Sequence, residues 1–366
     1  MGPLNVADGA LGFFAHFSVC VSRSGEPLGA AGLYAWARRK ERKPSRRQRI
    51  SQSDPDREAL RWQDAVHQCG ELLRDVPDVV HVMDREGDCM ELLADMVEHG
   101  HRFVVRLAHD RRLDANRKAQ NVPKLYDSLA AAPFFLERRV PLVRRGSSRR
   151  GVAVPEFGQT ASRDAFLTVR AGTFVISTGN GSSYHLPDRL ELHFVEVVEL
   201  DPPVDMEPVH WRLATTEPIE TMEDVAAVVD DYRSRWLIEE FFKGIKTGCQ
   251  FEKLQLSTGP ALILALVIYA AVAWRLLLLR WLDRNEPDAP APRVLTPAQL
   301  ATLTAVCKMK YTALPKNPTV HHVLSAIATI GGHVRNNGPP GWLVIGRGFD
   351  QLLAMEVGYL AARGIP

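Results

Sequence analysis

A short valine-rich run that ends in an acidic residue constrains the fold of this chain more than any other feature. Residues 79–83 read VVHVM, and Asp84 follows them directly. Helix-forming sequence continues over residues 89–98, and a second apolar run, HRFVVRLA, covers residues 101–108. A strand, a helix and a strand joined by short links form a βαβ unit, whose two strands pair in parallel. The sequence therefore predicts an α/β fold with a partly parallel sheet.

The pattern of predicted strands and helices changes at three points along the chain, which predicts four segments. Residues 1–108 hold a predicted hairpin and the βαβ unit. Residues 109–207 carry many short strand patterns between Gly, Ser and Pro turns, as expected of a β-rich insertion. Residues 208–284 return to strand and helix. A Pro/Ala linker then leads into a mostly helical tail at residues 285–366.

One segment imitates a membrane span. Residues 261–282 are strongly apolar, but the uninterrupted run stops at Trp274, and Arg275 and Arg280 break the remainder. Apolar runs of this length are more often buried core helices than spans. We therefore expect a core helix and no membrane partner.

Composition limits the class of protein only loosely. The five cysteines are scattered with no CxxC pair, which argues against a disulfide framework or a zinc site and for a reducing compartment. The net charge of +2 hides two basic runs, at residues 38–49 and 144–150. The first run is interpreted either as a solvated loop or as an arm that contacts phosphates.

The segment YRSRWLIEEFFKGIKTGCQ, residues 232–250, mixes aromatic, acidic and basic side chains. If residues 234–247 form one helix, one face carries Arg235, Glu239, Phe242 or Lys243, and Lys246 at spacings of three and four. On periodicity alone, an amphipathic surface helix with ion pairs is the favoured interpretation.

A second interpretation depends on the fixed gaps within this segment. Tyr232, Arg235, Glu239 and Lys246 fit the pattern Y-(2)-R-(3)-E-(6)-K, which seldom arises by chance. Asp84 supplies an acidic residue at the end of a strand far upstream. A strand-end Asp and a helix-borne Glu are the ligands that a two-metal phosphoryl-transfer site uses for Mg²⁺.

These motifs resemble those of the bacterial cut-and-paste DDE transposases, and in particular the insertion-sequence group with the YREK signature. DREGD, which begins at Asp84, is similar to the second acidic element of that family, and the segment around Glu239 is similar to the third. HRFVVRLAHDRR, WRLATTEPIETMEDVAAVVDDYRSRW and IATIGGHVRNNGPPGWLVIGRGFDQL extend the resemblance over almost the whole chain.

The resemblance implies an α/β fold with an RNase H-like core, in which helices flank a mixed sheet and an all-β insertion interrupts it. The C-terminal helical region would join two protomers in a synaptic complex. Asp84 and Glu239 would be the second and third catalytic carboxylates, with Mg²⁺ as the cofactor and Mn²⁺ as an alternative. The partner would be double-stranded DNA, at transposon ends and targets, on the nucleoid in the bacterial cytoplasm.

The resemblance also implies DNA contacts at Tyr232, Arg235, Lys246, Trp211, Trp236 and Arg106. The first three would grip phosphates near the scissile bond. Trp211 occupies the position of a tryptophan that stacks on a flipped base, an interaction of about 1–3 kcal/mol. Core packing is the alternative for both tryptophans, and Arg106 is the weaker candidate for a hairpin or phosphate contact.

Two parts of the family pattern find no match here. The first catalytic Asp and the N-terminal DNA-binding region are not found, and Asp8 does not take the role of that Asp. We therefore expect a truncated chain without the first strand of the core, inactive by itself. Two alternatives stay open, namely a non-catalytic inhibitor that forms mixed dimers with full-length transposase and another RNase H-like nuclease.

Overall fold

The structure, a computed structural model, describes most of the chain. The described residues are 2–3, 11–37, 58–113, 122–142, 163–177, 186–203, 208–334 and 338–364. Both basic runs and Asp8 lie outside them.

The chain divides into two compact units, and the division crosses the predicted segment limits. The first unit joins Met1–Arg42 to Trp236–Pro366, and the second is Lys43–Arg235. The predicted segment 208–284 is therefore shared between the two units, with the change falling between Arg235 and Trp236.

Ten strands and nine helices form the described part of the chain. The strands are β1 (Gly2–Pro3), β2 (Leu11–Gly12), β3 (Phe14–Val21), β4 (Pro27–Trp36), β5 (Val80–Met83), β6 (Arg102–Arg106), β7 (Phe134–Leu142), β8 (Arg163–Ser177), β9 (Arg189–Leu200) and β10 (His210–Thr215). The helices are α1 (Glu58–Leu72), α2 (Met90–Glu98), α3 (Leu125–Ala130), α4 (Met222–Ser234), α5 (Trp236–Lys243), α6 (Gly259–Asn285), α7 (Pro297–Lys310), α8 (Val320–Ile330) and α9 (Trp342–Ala362).

A six-stranded mixed sheet forms the centre of the second unit. Its strand order is β5-β6-β10-β9-β8-β7. β5 and β6 are parallel and are linked by α2, which confirms the predicted βαβ unit, while the other neighbouring strands are antiparallel. A mixed sheet with flanking helices agrees with the α/β class expected from the sequence.

Both faces of this sheet are buried, because alternate residues of a strand point to opposite sides. On β6, Phe103 and Val105 belong to one apolar cluster with Leu93 of α2. Val104, between them, belongs to a second cluster with Val228 of α4. The helices α2 and α4 therefore cover opposite faces of the sheet.

The predicted β-rich insertion continues this sheet. β9 pairs with β10 on one side and with β8 on the other, so β7, β8 and β9 extend the βαβ unit. The segment also contains the short helix α3, which the all-β expectation omitted. Leu125 and Leu129, one turn apart on α3, are both fully buried. Tertiary contacts with the sheet therefore stabilise this helix.

In the first unit, the predicted hairpin β3–β4 forms its own two-stranded sheet. The ring of Phe17 on β3 packs edge-on against Phe241 of α5, with centroids 5.2 Å apart. The indole Nε1 of Trp274, on α6, donates to the carbonyl oxygen of Pro27 at 3.0 Å. The hairpin is therefore tied to helices that lie more than 200 residues later in the chain.

The apolar helix α6 contributes to the core of the first unit. Its buried residues include Leu266, Leu276 and Leu282, which pack with α8 and α9. Among the described helices, α6 alone is long and apolar enough to cross a membrane, a property that core helices share.

The helices α8 and α9 approach each other closely at two glycines. A Cβ on Gly348 would lie 1.8 Å from the carbonyl oxygen of Ile327, and one on Gly331 would lie 1.8 Å from that of Val344. Both neighbours are backbone atoms that cannot rotate away. Glycine is therefore required at this crossing.

We expect Gly348→Ala to lower the free energy of unfolding by about 2 kcal/mol or more, because overpacking forces the helices apart. Gly358→Ala is the matched control on the same helix, since no atom lies within 4 Å of its added Cβ. Alanine there should stabilise by up to about 1 kcal/mol. Chemical denaturation measures both effects, and equal effects would contradict the close packing.

Candidate functional site

Asp84 lies at the carboxyl end of β5, as the sequence predicts. It caps a single 3₁₀ turn, Arg85–Gly87, and its Oδ1 accepts a hydrogen bond from the Glu86 amide at 2.9 Å. The turn is tight, since a Cβ on Gly87 would lie 2.8 Å from Cβ of Met83. The strand end and the turn together hold the Asp84 carboxylate, which is partly exposed.

The same strand carries a neutral imidazole. Burial, followed by the neighbouring rings of His101 and His67, lowers the pKa of His81 to about 4. His81 therefore contributes no positive charge to the strand that leads to Asp84 at neutral pH.

Asp88, the second acid of DREGD, is buried and has a structural role that the sequence did not reveal. Its carboxylate pairs with the guanidinium of Arg111 at 2.5 Å. Its Oδ2 also accepts hydrogen bonds from the amides of Ala108 and His109, at 2.6 and 2.9 Å. Asp88 thus links the turn Arg85–Gly87 to the segment that follows β6.

Cys89, the next residue, has a thiol that loses its proton less readily than a free cysteine. Burial raises the pKa of its thiol, which also donates a hydrogen bond to Oε2 of Glu91 at 2.8 Å. A protonated, partly buried thiol packs as a small apolar group.

The prediction of one helix over residues 234–247 was wrong. α4 ends at Ser234, and α5 begins at Trp236 after a break at Arg235. The Arg235 amide donates to the carbonyl oxygen of Tyr232, three residues back. α5 in turn stops at Lys243 and gives way to a π-helical turn, Gly244–Gly248.

Packing against neighbouring helices explains the π-helical turn. A Cβ on Gly346 of α9 would lie 2.1 Å from the carbonyl oxygen of Gly248. A Cβ on Gly244 would lie 3.2 Å from the Cβ atom of Ala273 on α6. Tertiary contact in the first unit therefore sets the backbone that carries Lys246, and α-helical spacing does not apply there.

The lysines of this segment pair with acids other than Glu239. Lys243 contacts Glu240 at 2.5 Å, and the Glu240 side chain is 13% exposed. Lys246 contacts Glu252 at 3.3 Å, with both side chains well exposed. These two ion pairs thus use Glu240 and Glu252, neither of which lies on the helix face that periodicity predicted. Glu239 lies in the first turn of α5 and is partly exposed.

Three predicted DNA contacts lie together in the second unit. Tyr232 is only 4% exposed, and its ring meets Trp211 edge-on with centroids 5.1 Å apart. The Arg235 guanidinium lies 5.9 Å from the centre of the Tyr232 ring. In the structure, Tyr232 is a core residue that supports Arg235, and Trp211 packs at the edge of the same apolar cluster.

The two other candidates make contacts within their own units. The Lys243 ammonium lies 5.3 Å from the ring centre of Trp236, on the same helix. Arg106 donates a hydrogen bond from Nη2 to the carbonyl oxygen of His210 at 3.0 Å, which joins β6 to β10. Of the two candidate carboxylates, Asp84 belongs to the second unit and Glu239 to the first.

The chemistry of these two side chains suits a hard divalent cation. Both are carboxylates, the ligands that Mg²⁺ and Mn²⁺ prefer. Both are partly exposed, so a hydrated ion can reach each carboxylate. Asp88 is paired with Arg111 and Glu240 with Lys243.

Comparison with known families identifies the chain. The model of the transposase DDE domain matches residues 34–275, a span that includes both Asp84 and Glu239 and more than half of the 366 residues. The chain belongs to this family of DDE transposases. Membership gives it DNA as a substrate and DNA transposition as its general function, and members of the family use divalent metal ions.

The two acids of DREGD should differ sharply in their effect on stability. We expect Asp88→Ala to lower the free energy of unfolding by about 3–5 kcal/mol, because Arg111 would stay buried without its counter-charge. Asp84→Ala removes only a capping hydrogen bond and should cost about 1 kcal/mol. Urea denaturation distinguishes them, and a larger loss for Asp84→Ala would contradict these roles.

Proposed function

We propose that this protein is a cut-and-paste DNA transposase of the YREK group, acting at the nucleoid of a bacterial cell. The family match across both motif segments carries the proposal. Asp84 at a strand end and Glu239 on a helix support it, because these are the positions at which the resemblance places the second and third carboxylates.

Asp84 and Glu239 are the residues that would hold Mg²⁺ or Mn²⁺. Two such ions, when bound, activate the attacking oxygen and stabilise the leaving oxygen of a phosphodiester. The chain itself contributes two partly exposed carboxylates on regular elements, a strand end and a helix. Each element restricts the motion of its own carboxylate, which reduces the entropy that this side chain loses on binding an ion.

The parent reaction of the family, which also uses a first catalytic Asp that finds no match here, begins with hydrolysis at a transposon end, and we propose that this chain is inactive by itself. Water attacks phosphorus, the bond to the 3′ oxygen breaks, and a 3′-hydroxyl and a 5′-phosphate result. That hydroxyl attacks the opposite strand, so one phosphodiester replaces another and a hairpin closes the end. Water then opens the hairpin, and the restored 3′-hydroxyl attacks target DNA in a second transesterification.

Arg235 and Lys246 are proposed to grip DNA phosphates. The pair between Lys246 and Glu252 is exposed on both sides, so it is weak and a phosphate can replace the carboxylate. The Arg235 guanidinium lies against the buried ring of Tyr232. We therefore assign Tyr232 the role of positioning Arg235. Trp211 and Trp236 are proposed to stack on unpaired bases, and α7, α8 and α9 to join two protomers.

DNA binding tests this assignment. We expect the chain to bind a labelled duplex, taken from DNA that flanks its own gene, more weakly as salt increases. Arg235→Ala and Lys246→Ala should each weaken binding and reduce the slope of log K against log salt by about 1. Fluorescence anisotropy at four salt concentrations provides the measurement.

Lys243→Ala is the matched control, since Lys243 lies on the neighbouring turn and its charge is already paired with Glu240. Its salt slope should stay close to that of the wild type. A loss equal to that of Lys246→Ala would contradict the role of the signature, and wild-type binding without salt dependence would contradict the phosphate contacts.

A further inference from the structure

Five side chains that the proposed reaction does not use converge in the second unit. They are His67, His81, Asp95, His99 and His101. Within the described part of the chain, His67, Asp95 and His99 form the one group of three whose ligand atoms all lie within 4.8 Å of one another. Such a concentration of imidazoles around one carboxylate needs an explanation.

Two helices bring the three ligand atoms together. His67 lies on α1, and Asp95 lies on α2 one turn before His99, the residue that caps that helix. Nε2 of His67 is 2.9 Å from Oδ2 of Asp95. Ligands on a tetrahedral zinc ion are about 3.3 Å apart, given zinc–ligand bonds of about 2.0–2.1 Å. The group therefore needs only small side-chain rotations to enclose an ion.

The surrounding hydrogen bonds are those that support metal ligands. Nδ1 of His99 lies 2.9 Å from the carbonyl oxygen of Asp95 and 3.4 Å from Oδ1 of the same residue, so the ring is held with this nitrogen beside the carboxylate. Nε2 of Gln63 donates to Oδ1 of Asp95 at 2.6 Å. Metal-binding imidazoles and carboxylates ordinarily have such outer partners, which fix the ring or the carboxylate in place.

A further imidazole, that of His101, lies beside the group. The His101 ring is 5.7 Å from that of His67 and 6.4 Å from that of His99, between ring centres. Gly70 makes room for this ring, because a Cβ there would lie 2.6 Å from Cε1 of His101. Water or the His101 imidazole can thus complete a tetrahedron.

We propose that His67, Asp95 and His99 bind a zinc ion that joins α1 to the end of α2. Two imidazoles and one carboxylate are a ligand set that zinc accepts. The scattered cysteines, which argued against a zinc site in the sequence, take no part in it. The ion would stabilise α1 against the α2 layer of the sheet, and the site is independent of Asp84 and Glu239.

Zinc binding to the full chain tests the proposal, by calorimetric titration with ZnCl₂ and by thermal unfolding with and without the ion. We expect one zinc ion per chain and a higher melting temperature with zinc. His67→Ala and His99→Ala should each weaken binding at least about 100-fold and abolish the rise in melting temperature. Gln63→Ala should weaken binding about 10-fold, as expected for an outer partner.

Two controls separate this site from other sources of binding. His321→Ala removes a histidine that pairs with Asp283 at 2.8 Å; it should bind zinc as the wild type does. Glu239→Gln should also keep the zinc, which separates this result from the proposed DNA chemistry. Asp95→Asn keeps the shape of the side chain and serves if an alanine variant fails to fold.

The zinc-bound state also has a spectroscopic signature, because Co²⁺ in a tetrahedral site absorbs visible light strongly. The wild type and His321→Ala should show this absorption, and His67→Ala should not. The proposal is overturned if the wild type binds no zinc at stoichiometric concentration. It is equally overturned if His67→Ala and His99→Ala bind zinc as tightly as His321→Ala does.

Discussion

The burial of both faces of the six-stranded sheet is the constraint on which the rest of the second unit depends. Adjacent residues of β6 enter opposite apolar clusters, so a shift of one residue would exchange every contact between the two faces. This fixed register places the end of β5 and therefore Asp84. The buried ion pair between Asp88 and Arg111 then holds the turn Arg85–Gly87 in place. An ion pair fixes the orientation of this turn, which an apolar contact would not do.

Local sequence predicted the parts of the structure that local physics determines. The valine run, Asp84 at its end and the following helix predicted the βαβ unit, and the sequence after the Pro/Ala linker predicted the C-terminal helices. Other features depend on contacts between distant residues. The break at Arg235, the burial of Tyr232 and the joining of β9 to β10 follow from tertiary packing. The role of Asp88 depends on Arg111 and on the amides after β6, so its spacing gave no signal.

The signature segment combines two kinds of residue. Tyr232 is buried and Glu240 is nearly so, and each supports or pairs with a basic neighbour. Arg235, Glu239 and Lys246 are the members that we assign to DNA and metal. The salt-bridged helix and the catalytic helix are thus not rival interpretations of one surface, because Glu240 takes the ion pair with Lys243 while Glu239 is the proposed metal ligand.

The central proposal is that Asp84 and Glu239, and not Glu240, would bind the catalytic metal. Titration of Mn²⁺ into the protein bound to duplex DNA, followed by electron paramagnetic resonance of the free ion, tests it most directly. We predict that Asp84→Asn and Glu239→Gln each weaken Mn²⁺ binding by about 10-fold or more, since each loses a ligand. Glu240→Gln should bind Mn²⁺ as the wild type does. Loss of Mn²⁺ in Glu240→Gln with retention in Glu239→Gln would contradict the account.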